Sequence, residues 1–142
     1  MIKKGICLLA IACMFSCSSS KNTASKPLYE VLNYNNDGGA NIRFYEILTE
    51  PNEIKMLMSD KTLKHKIKSE DMEKSNFIIL NMGELPEGNY TVEITKVEET
   101  ATNIILHVKE MKPKRLNPNP DGVFVYPYSV VKINSKKPIV IQ

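Results

Sequence analysis

Few side chains in this 142-residue chain could do chemistry, and their spacing is poor for catalysis. There are two histidines, His65 in a lysine-rich stretch and His107 beside Lys109 on the polar phase of a strand-like segment. A zinc site gathers three or four His, Cys or carboxylate ligands at short spacings, and neither H-x-x-x-H nor a paired Cys/His pattern is present. Ser129 lies in Pro127-Tyr128-Ser129-Val130 without the G-x-S-x-G elbow that exposes a serine nucleophile. Glu98-Glu99 offers two carboxylates, but adjacent strand residues point to opposite faces and cannot act as an acid–base pair. No glycine-rich phosphate loop occurs. The inventory predicts a chain that is not an enzyme and holds neither metal nor cofactor.

The remaining reactive groups are three thiols, Cys7, Cys13 and Cys17, all within the first seventeen residues. Nothing downstream can pair with them, which excludes a disulfide framework for the body of the protein. Lys3 and Lys4 precede an apolar stretch from Gly5 to Phe15, well short of the roughly 20 residues that span a bilayer. Ser16-Cys17, followed by Ser18-Ser19-Ser20-Lys21, resembles the lipobox of bacterial lipoproteins, with Met14-Phe15 where the usual box has Leu and a small residue. The resemblance implies a signal peptide over 1–16, cleavage before Cys17, and diacylglycerol on its thiol. Two other readings stay open: Cys13 as the lipid site, with Met14-Phe15 a poor start for a mature chain, and a plain secretory signal with Cys17 incidental. Each buried methylene contributes about 0.8 kcal/mol, so two or three acyl chains hold firmly where one does not. Removing 1–16 takes away two lysines and no acid, so the formal charge of +3 falls to about +1 and gives no support for nucleic acid as a partner. Residues 17–27 then comprise the lipidated Cys and a polar tether averaging on the order of 17 Å between its ends.

The elements that would position any site are strands. Leu28–Tyr34 and Asn41–Leu48 alternate around the turn cluster Asn35-Asn36-Asp37-Gly38-Gly39. Pro51 suits a first helical position, and Ile54, Leu57 and Met58 recur at helix spacing, predicting a helix over 51–59. Residues 60–75 mix lysines with acids around Leu63, Ile67 and Met72 and read as a solvated connector. Asn76–Met82 is a continuous apolar run fit for a buried strand. Tyr90, Val92 and Ile94, then Ile104, Leu106 and Val108, alternate as a hairpin with an apolar inner face and Glu98–Thr102 as its polar turn. Val123–Tyr126, Tyr128–Ile133 and Ile139–Gln142 complete the pattern. The expectation is a mainly β domain over 28–142: a small antiparallel β-sandwich or partly closed barrel of six to eight short strands with one short helix.

Two loops stand out as interaction surface. One carries Leu85, Pro86, Glu87, Gly88 and Asn89 between two apolar strands, and the other runs from 112 to 127 with Asn117-Pro118 and Tyr126-Pro127. Proline pre-sets the backbone, so such loops reach a partner with less freedom left to lose, and exposed tyrosine offers area on two rotatable bonds. Tyr90, in phase with Val92 and Ile94, is instead assigned to the core.

From Asn76 onward the order of parts is distinctive: an apolar strand, G-E-x-P-x-G-x-Y over 83–90, the hairpin I-T-K-V-E-E…I-I-L-H-V-K-E-x-x-P, and Y-P-Y-S-V-V-K-I. This resembles the C-terminal domain of the PrcB family of protease-complex subunits over 76–142. The family's turn commonly reads t-G-G-Y where Gly88-Asn89-Tyr90 stands here; Asn tolerates positive φ, so the turn can survive. The resemblance implies a lipid-anchored binding module of the bacterial cell envelope that associates with, stabilises or modulates a subtilisin-like protease; Lys21-Asn22 after the serines, without the acidic cluster linked to surface export, favours a periplasm-facing membrane. The same turn, with the later Tyr-Pro element, is loosely similar to the blocking loops of chagasin-type protease inhibitors. A structural envelope lipoprotein without a protease partner is the other alternative.

Overall fold

The apolar run that begins at Asn76 is the spine of the fold. The computed structural model describes residues 26–114 and 122–142, and the expected signal peptide, Cys17, the tether up to residue 25, and Asn117 and Pro118 lie outside them. Strand β3 (Asn76–Asn81) pairs antiparallel with β8 (Tyr128–Ile133), and both are apolar on two faces because both are covered on two faces. Ile78, Leu80, Val131 and Ile133 point one way, Phe77 and Val130 the other, all at most 2% exposed. The N-terminal strands flank this pair: β1 (Tyr29–Asn35) lies against β8 and β2 (Phe44–Leu48) against β3, in the order β1-β8-β3-β2.

A second sheet covers one face. It comprises β5 (Thr91–Glu99), β6 (Ile104–Met111) and β9 (Ile139–Ile141), with β9 parallel to β6. A bulge at Thr95 resets the phase of β5, so that Val92 and Ile94 before it and Val97 after it all pack inward. Together with Tyr90, Ile104 and Leu106 they close a core on Ile78, Leu80, Val131 and Ile133, where each fully buried aliphatic side chain contributes about 1.5–3 kcal/mol. A two-residue pair, β4 (Leu85–Pro86) with β7 (Phe124–Val125), stands apart from both sheets. The architecture is mainly β and sandwich-like; among the described residues there are nine strands, two helices and no closed barrel.

Helices cover the other face of the first sheet. Helix α1 (Pro51–Leu57) starts at proline, with Glu53 Oε2 accepting the Glu50 N–H at 3.1 Å, and buries Ile54 completely. It is two residues shorter than expected. Residues 60–75 are not a solvated connector. Leu63 and Ile67, one helical turn apart, are each 3% exposed and join Leu32, Leu48, Ile54, Phe77 and Val130 in a second core. Asp60 Oδ1 accepts the N–H groups of Thr62 and Leu63, and a short helix α2 (Asp71–Lys74) follows. Asp71 is itself buried: its carboxylate meets Lys132 Nζ at 2.5 Å and accepts the Lys68 N–H at 2.8 Å. The strand expected from Asn41 begins only at Phe44, because the Asn41 and Ile42 carbonyls already accept from the Glu84 N–H and the Asn81 amide. The hairpin strand β5 runs on to Glu99 rather than turning at Glu98, and Thr100 closes the turn by accepting the Asn103 N–H on its Oγ1 at 2.9 Å.

Candidate functional site

Strand direction sorts the connections into two poles. Tyr29 and Asn76 both lie opposite Ile133, and Asn35 and Asn81 both lie opposite Tyr128. The segments 36–43 and 82–90, with residues 112–114 and 122–127, therefore lie at one pole. At the other, Asn134 donates its backbone N–H to the Leu28 carbonyl at 2.8 Å and its side-chain amide to the Pro27 carbonyl at 2.7 Å, fixing where the chain enters.

The two loops singled out from sequence are brought together. Leu85 pairs with Val125 and Pro86 with Phe124, and the Glu87 N–H donates to the Val123 carbonyl at 3.1 Å. Below them the Met82 N–H donates to the Pro127 carbonyl at 2.9 Å, and the Tyr126 hydroxyl donates to Glu84 Oε2 at 2.9 Å. That bond pushes the Tyr126 phenol above its ordinary pKa.

The third segment, 36–43, is the part that sequence reasoning missed. The Asn36 side chain donates to the Gly88 carbonyl at 2.9 Å and accepts the Tyr90 N–H at 3.2 Å, clamping the first loop from below. Gly39 donates its N–H to the Tyr126 carbonyl at 2.8 Å, and a Cβ there would sit 2.2 Å from Asn81 Oδ1. Asn81, 1% exposed, ties the segment down: its Oδ1 accepts the Ala40 N–H and its amide donates to the Ala40 and Ile42 carbonyls. Gly83 holds a φ of +79°, and a Cβ would press to 2.8 Å from the Arg43 backbone nitrogen, so only glycine fits the turn. Beside the pole, Tyr45 donates to Glu110 at 2.7 Å and Arg43 pairs with the same oxygen at 2.8 Å. Burial, then the Glu110 bond, pushes the Tyr45 phenol up to about 12, which keeps this latch protonated.

The expected contact residues divide by exposure. Pro86, Glu87 and Asn89 are exposed, while Leu85, Gly88 and Tyr126 are half-buried. Pro127 is not part of the exposed surface as expected: its side chain is fully buried, and its carbonyl accepts the Met82 N–H. The turn does not use positive φ at Asn89, since among the described residues no non-glycine adopts it. Gly88 is there for closeness, because a Cβ would lie 3.0 Å from the Pro113 ring. Tyr90, 2% exposed, is core. Two apolar side chains add to the surface, Val123 at 47% and Phe124 at 44% exposure. The signal for Phe124 was present, since alternation with the inward Val125 turns it out. A hollow of about 320 Å³ lies beside them, lined by Asn36, Glu87, Gly88, Asn89 and Val125.

The groups first considered for chemistry lie elsewhere. Ser129 is 1% exposed and donates its hydroxyl to the Asn33 carbonyl at 3.1 Å. His107 contacts Glu98 at 2.9 Å on the second sheet, and His65 is exposed in the segment before α2. Among the described residues no three His, Cys or carboxylate groups gather to hold a metal ion. The loop pole presents apolar Val123, Phe124 and Pro86 beside Glu84, Glu87 and Asn89 on a hydrogen-bonded base.

No curated protein and no solved structure matches this chain. One family model does match, described as PrcB C-terminal, over residues 76–134. The matched segment runs from the first residue of β3 to the residue after β8 and takes in both loops, whereas β1, β2, the helices and β9 lie outside it. Residues 76–134 of this chain are thus similar to the PrcB C-terminal domain.

Proposed function

We propose that this chain is a membrane-anchored binding module of the bacterial cell envelope that associates with a protease and stabilises or modulates it. The observation that carries the proposal is polarity: the chain enters the sandwich at the Pro27–Leu28 pole, and the interlocked loops stand at the opposite pole. A lipid on Cys17 would thus present Pro86, Glu87, Asn89 and Phe124 away from the bilayer. The PrcB match supports a role in a protease complex, and the resemblance read from sequence points to a subtilisin-like enzyme. Loops already hydrogen-bonded to one another lose little freedom on docking, and an aromatic among apolar neighbours is a common anchor.

The test uses the full chain in a bacterial host. Labelled palmitate should enter the wild type and not Cys17→Ser; equal labelling of both overturns the anchor. A photo-crosslinking residue at position 124 should capture an envelope protease, and Glu87→Lys should weaken that capture. Recovery of lipid and porins alone would count for a structural lipoprotein. A fall in the captured protease's activity on adding the chain would count for an inhibitor of the chagasin kind.

A further inference from the structure

The chain enters the sandwich beside a basic stretch. Lys61, Lys64, Lys66 and Lys68 fall within residues 61–68 with no acid among them, and all four are exposed. Leu63 and Ile67 bury themselves in the second core from the same stretch, which turns the lysines between and beside them outward. A hollow of about 460 Å³ opens between this stretch and the point of entry. Lys26 and Pro27 line it on one side, His65, Lys66 and Lys68 on the other, and Lys132, with a side chain 9% exposed, is its buried cation. Lys66 Nζ donates to the Leu32 carbonyl, which holds that ammonium beside the hollow. The acids of the lining are mostly answered. Asp71 pairs with Lys132, and Glu70 stands 3.9 Å from Lys26 and 3.4 Å from Lys74. Glu30 is the acid of the lining that has no ion pair among the described residues, and Lys61, Lys64 and Lys68 have none either.

We infer that this face rests on a bilayer of anionic lipids, with the hollow receiving a phosphate headgroup. The inference rests on the anchored reading above for where the face meets a membrane. A lipid on Cys17 and a tether averaging on the order of 17 Å, which ends at Lys26, hold the hollow within about two Debye lengths of the headgroups. At that range charge decides which side of the domain turns to the bilayer. Each lysine that comes within a Debye length of an anionic surface strengthens attachment about fivefold, and a basic patch beside an acyl anchor is a second attachment signal. A nucleic acid offers phosphates too, but the lining holds no tyrosine or phenylalanine on which a base would stack. With this face down, the interlocked loops at the pole opposite the entry point away from the bilayer.

The test uses the full chain carrying Cys17→Ser, which has no lipid, so that only the protein's own attraction is read. Its binding to vesicles of about 30% phosphatidylglycerol in phosphatidylcholine should exceed that to phosphatidylcholine alone by about tenfold at about 0.05 M salt, and the excess should vanish near about 0.5 M. Attachment through the apolar stretch at 5–15 is the same for both vesicles and drops out of the ratio. Lys64→Gln with Lys68→Gln, at exposed positions, should bring the ratio to within about twofold of unity with the thermal midpoint within about 2 °C of the parent, and Glu30→Gln should raise the ratio. Equal binding to the two vesicles, a ratio indifferent to salt or to the lysine pair, release by about 10 mM inorganic phosphate at constant ionic strength, or tighter binding of an oligonucleotide than of the vesicles would each overturn the inference. Failure of palmitate labelling would overturn the anchor and leave this ratio unchanged, so the two readings fail separately.

Discussion

Replacing Asp71 with alanine should be among the most damaging single changes in this fold, although the residue belongs to a stretch that looks like solvated charge. The side chains of Asp71 and Lys132 are 4% and 9% exposed, and their charged atoms stand 2.5 Å apart. Lys132 sits on the face of β8 that also carries Val130, so an orphaned ammonium would be left against the second core. Removing one partner of a buried pair costs about 3–5 kcal/mol, most of it the unpaired charge. Against a total stability of about 5–15 kcal/mol this is a large share, and for a domain this size it lowers the midpoint by about 10–20 °C. The assay is urea unfolding followed by circular dichroism, since the chain has no Trp. The double replacement Asp71→Leu with Lys132→Met should return to within about 1–2 kcal/mol of wild type, because it removes both charges and keeps the volume.

The pH dependence gives a second reading of the same pair. Burial pushes the Asp71 carboxyl upward, but the bond from Lys132, then the Lys68 N–H, more than offset it, and its pKa lies below the ordinary 3.8. A carboxylate with a lowered folded pKa adds stability above its unfolded value and loses it as pH falls through the folded one. The gap between wild type and Asp71→Ala should thus be full at neutral pH, begin to narrow near about pH 4, and go on narrowing as pH falls through the lowered folded value. A loss under about 1 kcal/mol, or a gap that stays constant into acid, would mean the pair is solvated and that Leu63 and Ile67 hold the segment alone.

Gly39→Ala, whose Cβ would meet Asn81 Oδ1 at 2.2 Å, should cost about 1–3 kcal/mol and speed amide exchange at the loop pole; an unchanged urea midpoint would contradict the close contact. Asn36→Ala removes the bonds to the Gly88 carbonyl and the Tyr90 N–H and should speed exchange in residues 86–90 before the rest of the sandwich; uniform loss of protection would show that the clamp is not local. A fragment of residues 76–134 lacks the strands that flank β3 and β8 and the helices over Phe77, so it should show no cooperative transition in urea, and a sharp one would refute that dependence.

Much of the sheet structure was legible because burial on two faces leaves a continuous apolar run, as in 76–82, and burial on one face leaves alternation, as in 90–94 and 104–108. What failed to show had physical causes. Leu63 and Ile67 are a helical turn apart, but three lysines beside them hide the spacing, and only the sheet beneath decides that they are buried. Lys132 was a visible clue, being a charge in phase with Val130 on an apolar strand, and such a residue requires a partner that sequence alone cannot place. Two-residue strands such as β4 and β7 have no period to detect, and three residues of β9 say nothing of direction. Pro127 was assigned to the surface because proline marks loops, but the loop it ends returns beneath the pole. Asn36 looks like any turn asparagine until Gly88 and Tyr90, more than fifty residues away, are set beside it.

Most of the residues that carry the family likeness at 83–90 hold the pole together, the exposed Pro86 apart. Gly83 is needed for its backbone conformation and for the approach of Arg43, Gly88 for the approach of Pro113, and Tyr90 fills the core. Glu84 accepts the Tyr126 hydroxyl. The positions between them, Leu85, Glu87 and Asn89, and their neighbour Phe124 across the two-strand pair, bear less of that load. Much of the interlock beneath them is backbone to backbone, as in Gly39 to Tyr126, Met82 to Pro127 and Glu87 to Val123, and such bonds do not depend on which side chains stand above. A scaffold of this kind can keep its shape while Glu87, Asn89 and Phe124 change to suit a partner. On the proposed docking role, specificity should therefore reside in Glu87, Asn89 and Phe124 and not in the glycines and tyrosine that build the pole.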